Sequence, residues 1–267
     1  MQFLRIIPTL ASVLLTGILC AQEPGVLRGK VNFIGTPPEP EPLAIRGDRF
    51  CQQAAADQPI LREDVVVNPN GTLANVVVWL SRGRPESRPS RSLKNTPASL
   101  TQTGCKFYPH VIAVQVNQPL TLTNQDGTLH NINILPKTNK RFNKVLLEDS
   151  KPETVTFTHA EAPLRVRCDI HPWMHAWVAI FDHSDFAVTA EDGTFEIPNL
   201  PPGEYLAHAW HEKYGEVQSE VLVFQEKPAE ILFEFATTGA KSATVISTTP
   251  PAETETTATE SLTTSPK

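Results

Sequence analysis

The sequence predicts an all-β protein organised as small sandwiches, and three observations support this. Between Leu100 and Asp182, eight short runs of strand-forming residues follow one another within about 80 residues, each bounded by Gly, Asn, Asp or Pro. Prolines number 24 in 267 residues, which favours short extended segments and turns. After Asp182, a second group of alternating runs flanks the turn Asp192-Gly193 and the phrase Leu200-Pro-Pro-Gly203.

The chain opens with MQFLRIIPTLASVLLTGILCAQ, which has an early cation at Arg5, an apolar run from Leu10 to Leu19 and small residues near Ala21. That is the pattern of a secretory signal peptide over 1–21, too short and wrongly flanked for a membrane span. Its removal leaves an expected periplasmic or secreted protein with no transmembrane segment. The alternative is a lipid anchor at Cys20, although Leu19 stands where a small residue is expected. The formal net charge of -6 carries no basic excess, so a nucleic-acid partner is excluded.

GVLRGKVNFIG reads as a strand that ends at Gly35, and TPPEPEP breaks it. Leu43 to Pro59, which contains Cys51, is a loop or short helix. DVVVNPNGTLANVVVWL reads as two strands around the turn Asn68-Pro-Asn-Gly71. Ser81 to Pro97 is a linker of Arg, Ser and Pro, in which Arg82, Arg84, Arg88, Arg91 and Lys94 face only Glu86. Those cations suit either an acidic partner or a solvated connection. SLTQT, FYPHVIAVQV, PLTLTN, HNINIL, KVLLE, TVTFT, LRVRC and AWVAIF are the eight strands. From 237 to 267 the chain is threonine-rich with no aromatic residue, and is expected to be a disordered tail.

Cys168-Asp-Ile-His171-Pro-Trp-Met174 sits between two of these strands. A thiolate, an imidazole and a thioether are ligands of the kind that select copper, and a tight loop can turn all three towards one point. His130, in TLTNQDGTLHNINI, is the best candidate for the missing ligand. Zinc is the weaker alternative because it rarely takes a thioether. A nucleophilic Cys168 lacks a base and an orienting partner, so no enzyme activity is expected. His110, His159 and His175 are spare imidazoles nearby. His208 and His211 in AHAWHE could form another metal site, but that spacing along a strand puts the rings on opposite faces.

Without Cys20, three cysteines remain, an odd number for an exported protein. If Cys168 is a metal thiolate, Cys51 and Cys105 are free to form a disulfide. A copper-supporting role for Cys105 is the alternative.

The arrangement His130, Cys168-x-x-His171-x-x-Met174 resembles the cupredoxin, or blue-copper, family, and VIAVQVNQPLTLTNQDGTLHN is similar to that family's approach to its first histidine through an Asn-x-Asp corner. The resemblance implies a Greek-key sandwich over 85–183 binding one copper ion through His130, Cys168, His171 and, as weak axial ligand, Met174. The loop departs from the plastocyanin pattern because only two residues separate His171 from Met174. That spacing is similar to the binuclear copper domain of cytochrome oxidase, whose second cysteine is missing here. The segment FAVTAEDGTFEIPNLPPGEYLAHAW, with LRGKVNF and LANVVVWL, resembles the transthyretin-like domains called carboxypeptidase-regulatory-like. The two resemblances imply a cupredoxin sandwich inserted in, or packed beside, a discontinuous transthyretin-like β-sandwich over 25–84 and 184–236. The combined layout is similar to bacterial chains grouped as methylamine utilisation proteins, a label that says little about chemistry.

The function expected from this is electron transfer with a redox partner protein of unknown identity. His171, on the loop, would reach solvent and form the electron port with Trp173, unless Trp173 turns inward as a plug. The alternatives are a copper-binding or copper-delivery protein and a non-metal module that binds carbohydrate or protein.

Overall fold

A computed structural model describes residues 24–81, 91–148, 150–225 and 227–247. The expected signal peptide, Arg82, Arg84, Glu86 and Arg88 of the linker, and residues 248–267 of the tail lie outside them. The first elements are β1 (Gly25–Ile34), α1 (Arg49–Asp57) and β2 (Val77–Leu80). A middle run follows: β3 (Ala98–Thr103), β4 (Lys106–Tyr108), β5 (Val111–Gln115), β6 (Leu120–Asn124), β7 (His130–Ile134), β8 (Phe142–Leu146), β9 (Glu153–Val155), β10 (Glu161–Arg167) and β11 (His175–Phe181). The last elements are β12 (Phe186–Val188), β13 (Thr194–Leu200), β14 (Gly203–His211), β15 (Gly215–Val223), β16 (Ala229–Ala236) and β17 (Lys241–Ser247).

The protein is an all-β sandwich structure. Strands from before and after the middle run form two sheets, ordered β13-β1-β16-β17 and β12-β2-β14-β15. Their alternating apolar residues, among them Leu27, Val31, Leu80, Ile197, Ala207, Ile231 and Phe233, share one buried core. β1 lies parallel to β16, from Leu27 opposite Ala229 to Ile34 opposite Ala236. The middle run forms the sheets β5-β11-β10-β7-β8 and β4-β3-β6-β9, closed over Leu100, Phe107, Leu122, Ile132, Val166, Val178 and Ile180. Val77, Val111 and Ala179 meet at a third, smaller cluster, with Trp79, Trp177 and Trp210 packed around them. That cluster joins the two sandwiches, because Val77 belongs to the first and the other two buried residues to the second.

Several sequence expectations change in detail. FYPHVIAVQV splits at Pro109 into β4 and β5, which pair in different sheets, because proline has no N–H to donate to a ladder. The first run of DVVVNPNGTLANVVVWL contributes only the bridge Val67 to Leu73 across the Asn68 turn. Leu43 to Pro59 contains α1, which begins where Asp48 accepts a hydrogen bond from Cys51 N at 2.8 Å and ends just before Pro59. The expected disorder from 237 onward is corrected for Lys241–Ser247, which forms β17 antiparallel to β16. Ala243 and Val245 turn inward onto the first core, which supplies the apolar contact that composition alone does not suggest.

Candidate metal centre

His130 opens β7 at the end of a turn held by side-chain hydrogen bonds. Asn124 Nδ2 donates to Thr128 O at 2.8 Å and to Leu146 O at 3.1 Å, while Asn124 Oδ1 accepts from Asp126 N at 3.0 Å. Asp126 is thereby aimed inward. Its Oδ2 accepts from His130 Nε2 at 2.8 Å and from Cys105 N at 2.8 Å, and its Oδ1 accepts from Gly104 N at 2.6 Å.

The second ligand segment is the loop between β10 and β11. Cys168 N donates to Met174 O at 3.1 Å and Met174 N to His171 O at 2.9 Å, which closes the loop into a tight turn. Cys168 Sγ accepts from His171 N at 3.3 Å and from Asn131 N at 3.5 Å. Asp169 fastens the loop to β7: its N–H donates to Asn131 Oδ1 at 2.6 Å, and its carboxylate accepts from Asn131 at 3.1 Å and Asn133 at 2.7 Å.

These contacts bring His130, Cys168 and His171 together. The two Nδ1 atoms face each other at 2.7 Å, and Cys168 Sγ lies 3.9 Å from His171 Nδ1. Met174 is buried in the same core beside Cys168. Each ring keeps its Nε2 for a carboxylate: His130 for Asp126, and His171 for Asp48, 3.5 Å away. A carboxylate behind the ring holds the proton on Nε2 and leaves the Nδ1 lone pair pointing at the centre. Two such lone pairs this close need a proton or a metal ion between them. The donor set therefore fits a soft or borderline metal ion.

The electrostatics of the cluster run the same way. Burial pushes the Cys168 thiol up, but the hydrogen bond with His130 and the N–H groups of Asn131, His171 and Ile170 outweigh it and hold the thiol below its ordinary range. Burial opposes a charge on His130, yet Asp126 and Cys168 raise it to about 9. His171 is lowered by burial and by its neighbour His130. Asp48 is lowered despite its burial because Cys51 N, the Thr128 hydroxyl and His171 favour its charge.

Cys51 and Cys105 are joined by a disulfide. Cys51 Sγ also lies within 4.8 Å of ring nitrogens of His130 and His171. A disulfide sulfur has no thiolate charge to offer, whereas Cys168 is a free, buried thiol.

The disulfide carries α1 and Asp48 over the ligand loop. His171 is consequently 3% exposed, which corrects the expectation that it reaches solvent. Trp173 turns inward: its Nε1 donates to Cys105 O at 3.2 Å, its ring lies 4.9 Å from that of His171, and it packs against Cys51, Ile60 and Cys105. Among the chain neighbours of the candidate ligands, Leu129, 44% exposed, and Ile170, 41% exposed, are large apolar side chains open to solvent.

The spare imidazoles lie elsewhere. His159 is bonded to Thr158, and His208 to Ser81 and Glu216 while stacked on Trp79. His211 stacks on Tyr214 in the first sandwich. His110 and His175 meet Glu212. Sequence reasoning marked the Asn-x-Asp corner but gave Asp126 no role, and Asp48 carried no local signal.

No protein-family model matches the chain, and no curated protein matches it. Solved structures similar to part of it include the Cu-containing nitrite reductase (NirK) from Thermus scotoductus, at 20% identity and TM-score 0.31 over 37% of this chain and 25% of that one. A novel purple cupredoxin from Nitrosopumilus maritimus matches at 24% identity and TM-score 0.27 over 31% of this chain and 98% of its own. A proline-to-alanine variant of amicyanin in its oxidized state matches at 15% identity and TM-score 0.29 over 39% and 97%. This chain thus spans a quarter of the nitrite reductase. Among the described residues, no helix is long and apolar enough to cross a membrane.

Proposed function

We propose that this is an exported protein holding one copper ion through His130, Cys168 and His171, with Met174 as a weaker fourth ligand, and exchanging electrons with a partner protein. One observation carries the proposal: two imidazole Nδ1 atoms 2.7 Å apart beside a buried thiol, each ring backed by a carboxylate. Copper supplies a one-electron Cu(I)/Cu(II) couple. The chain's part is to fix the ligands so that little rearranges when the charge changes. Asp126 and Asp48 set the ring tautomers, the N–H groups of Asn131 and His171 steady the sulfur, and Asp169 fastens the loop.

Burial of His130, Cys168 and His171 supports electron transfer over copper delivery, because a metal handed to another protein needs an open ligand edge. Electrons then pass beside Leu129 and Ile170, next to the two histidines in sequence, and the inward-turned Trp173 stiffens the cover. The first sandwich, read as transthyretin-like, serves as the carrier of this unit.

The deciding experiment adds Cu(II) to purified protein and records copper content with visible and electron-spin-resonance spectra. One copper per chain and a strong thiolate-to-copper band, both lost in Cys168→Ala, are expected. Uptake without the band would leave only metal binding, and no uptake would sink the proposal.

A further inference from the structure

A second cluster of metal-type donors lies where the two sandwiches meet. β11 begins at His175, directly after Met174, and alternation along the chain turns the two side chains apart. His110 comes alongside because Trp177 N donates to His110 O at 2.9 Å. The third member, Glu212, is in the tight turn between β14 and β15 of the other sandwich. His110 Nε2 bonds to Glu212 Oε1, His175 Nε2 lies 3.4 Å from Oε2, and Trp177 Nε1 donates to Oε2 at 2.8 Å. One donor atom from each of His110, His175 and Glu212 falls within 4.8 Å of the others, a span that one ion with bonds of about 2.0–2.2 Å can gather after small side-chain movements.

The surroundings of these three residues are acidic. Glu63 Oε2 lies 3.9 Å from His110 Nδ1, behind the ring, as the carboxylates do at the first centre. Asp64 Oδ1 is 4.0 Å from His175 Nε2 and could complete the set. Glu63 and Asp64 are already paired with Lys106 and Arg62, while Glu212, nearly buried, hydrogen-bonds among the described residues to the two imidazoles and an indole N–H, with Arg62 as a more distant positive neighbour. Beside the two imidazoles lies a small cavity of about 20 Å³, walled by His110, His175, Glu63 and Asp64 together with Arg62 and Lys106 and not by Glu212, with room for roughly one water.

We propose that His110, His175 and Glu212 bind a second metal ion, a divalent first-row cation of the Zn(II) class, at the seam between the sandwiches. Two imidazoles and a carboxylate are a set that zinc accepts, and the absence of a sulfur donor separates this site from the first. The ion would tie β5 and β11 of one sandwich to the β14–β15 turn of the other.

The test uses the full mature chain carrying Cys168→Ser and His171→Ala, so that the first centre cannot contribute and the copper proposal is not at stake. Equilibrium dialysis against Zn(II) should find about one equivalent bound per chain. Adding Glu212→Gln should weaken that binding at least roughly tenfold. His175→Gln provides the same comparison if the Glu212 variant fails to give a native circular-dichroism spectrum. In an otherwise native chain, Glu212→Gln should leave uptake of the first copper unchanged. If the doubly substituted chain binds no zinc, or if affinity survives both Glu212→Gln and His175→Gln, the cluster is an ion-paired lock between sandwiches and the proposal is overturned.

Discussion

Asp48 Oδ2 lies 3.5 Å from His171 Nε2, while the other oxygen of the same carboxylate caps α1 through Cys51 N. One side chain therefore caps the start of a helix and orients a candidate ligand. The two roles separate by substitution, because Asn caps helices about as well as Asp but carries no charge. Asp48→Asn should keep thermal stability close to the parent while weakening copper binding by about tenfold or more. Asp48→Ala should show the same loss and unfold more easily, by about 1 kcal/mol. Copper competition and thermal unfolding measured on both variants check this, and equal copper affinity in all three proteins would remove Asp48 from the site.

The four candidate ligands are not equivalent. Cys168→Ala or His130→Ala should abolish the thiolate-to-copper colour, since each removes a strong donor. Met174→Leu should retain copper and change the reduction potential, because a weak axial donor tunes more than it holds. Visible spectra and redox titration distinguish these outcomes. A colourless Met174→Leu protein would make Met174 a principal ligand.

Removing the disulfide should loosen the cover over His171. Cys51 and Cys105 are 54 positions apart, so replacing both with Ser should cost about 2–4 kcal/mol. Amide exchange along α1 should rise more than exchange in β7 and β11, because the bridge anchors the helix segment to the second sandwich. Uniform exchange changes would mean that the segment stays seated without its bridge.

Glu161 gives a pH prediction away from the metal ligands. Burial is the largest single influence and raises its carboxyl, but the N–H groups of Lys137, Thr138 and Asn139 and the Asn139 side chain together outweigh it and bring it below the ordinary 4.5. A depressed folded value means that the interaction contributes fully above that ordinary value and is lost as pH falls through the folded one. Carboxyl NMR should therefore find the Glu161 midpoint below 4.5, with the amides of 137–139 titrating at the same pH. Glu161→Gln should remove that shared titration.

Much of this architecture was legible because period-two patterns and turn residues are local. HNINI and LRVRC are recognisable as strands, and Cys168, His171 and Met174 occupy a single loop. Asp48 was not legible: its segment has no sustained periodicity, and its partner Thr128, bonded at 2.8 Å, is distant in sequence. The burial of His171 was missed for the same reason, since the covering element comes from far along the chain. In β17 the alternation of Ala243 and Val245 was present, but threonine-rich composition concealed it. Glu212 gave no sign because a lone acid in a turn is usually solvated.

The parallel pairing of β1 with β16 also sets an order of assembly. Leu27 cannot meet Ala229 until some two hundred intervening residues have been made, whereas every strand pair of the second sandwich lies within the middle run. Closing so long a loop slows the first sandwich relative to the second. During that interval β1 exposes Leu27, Val31 and Phe33 with no core to cover them. Pulse-labelled exchange during refolding should thus protect Ile132 and Val178 before Val31, and the delay is when this chain is most exposed to aggregation and proteolysis.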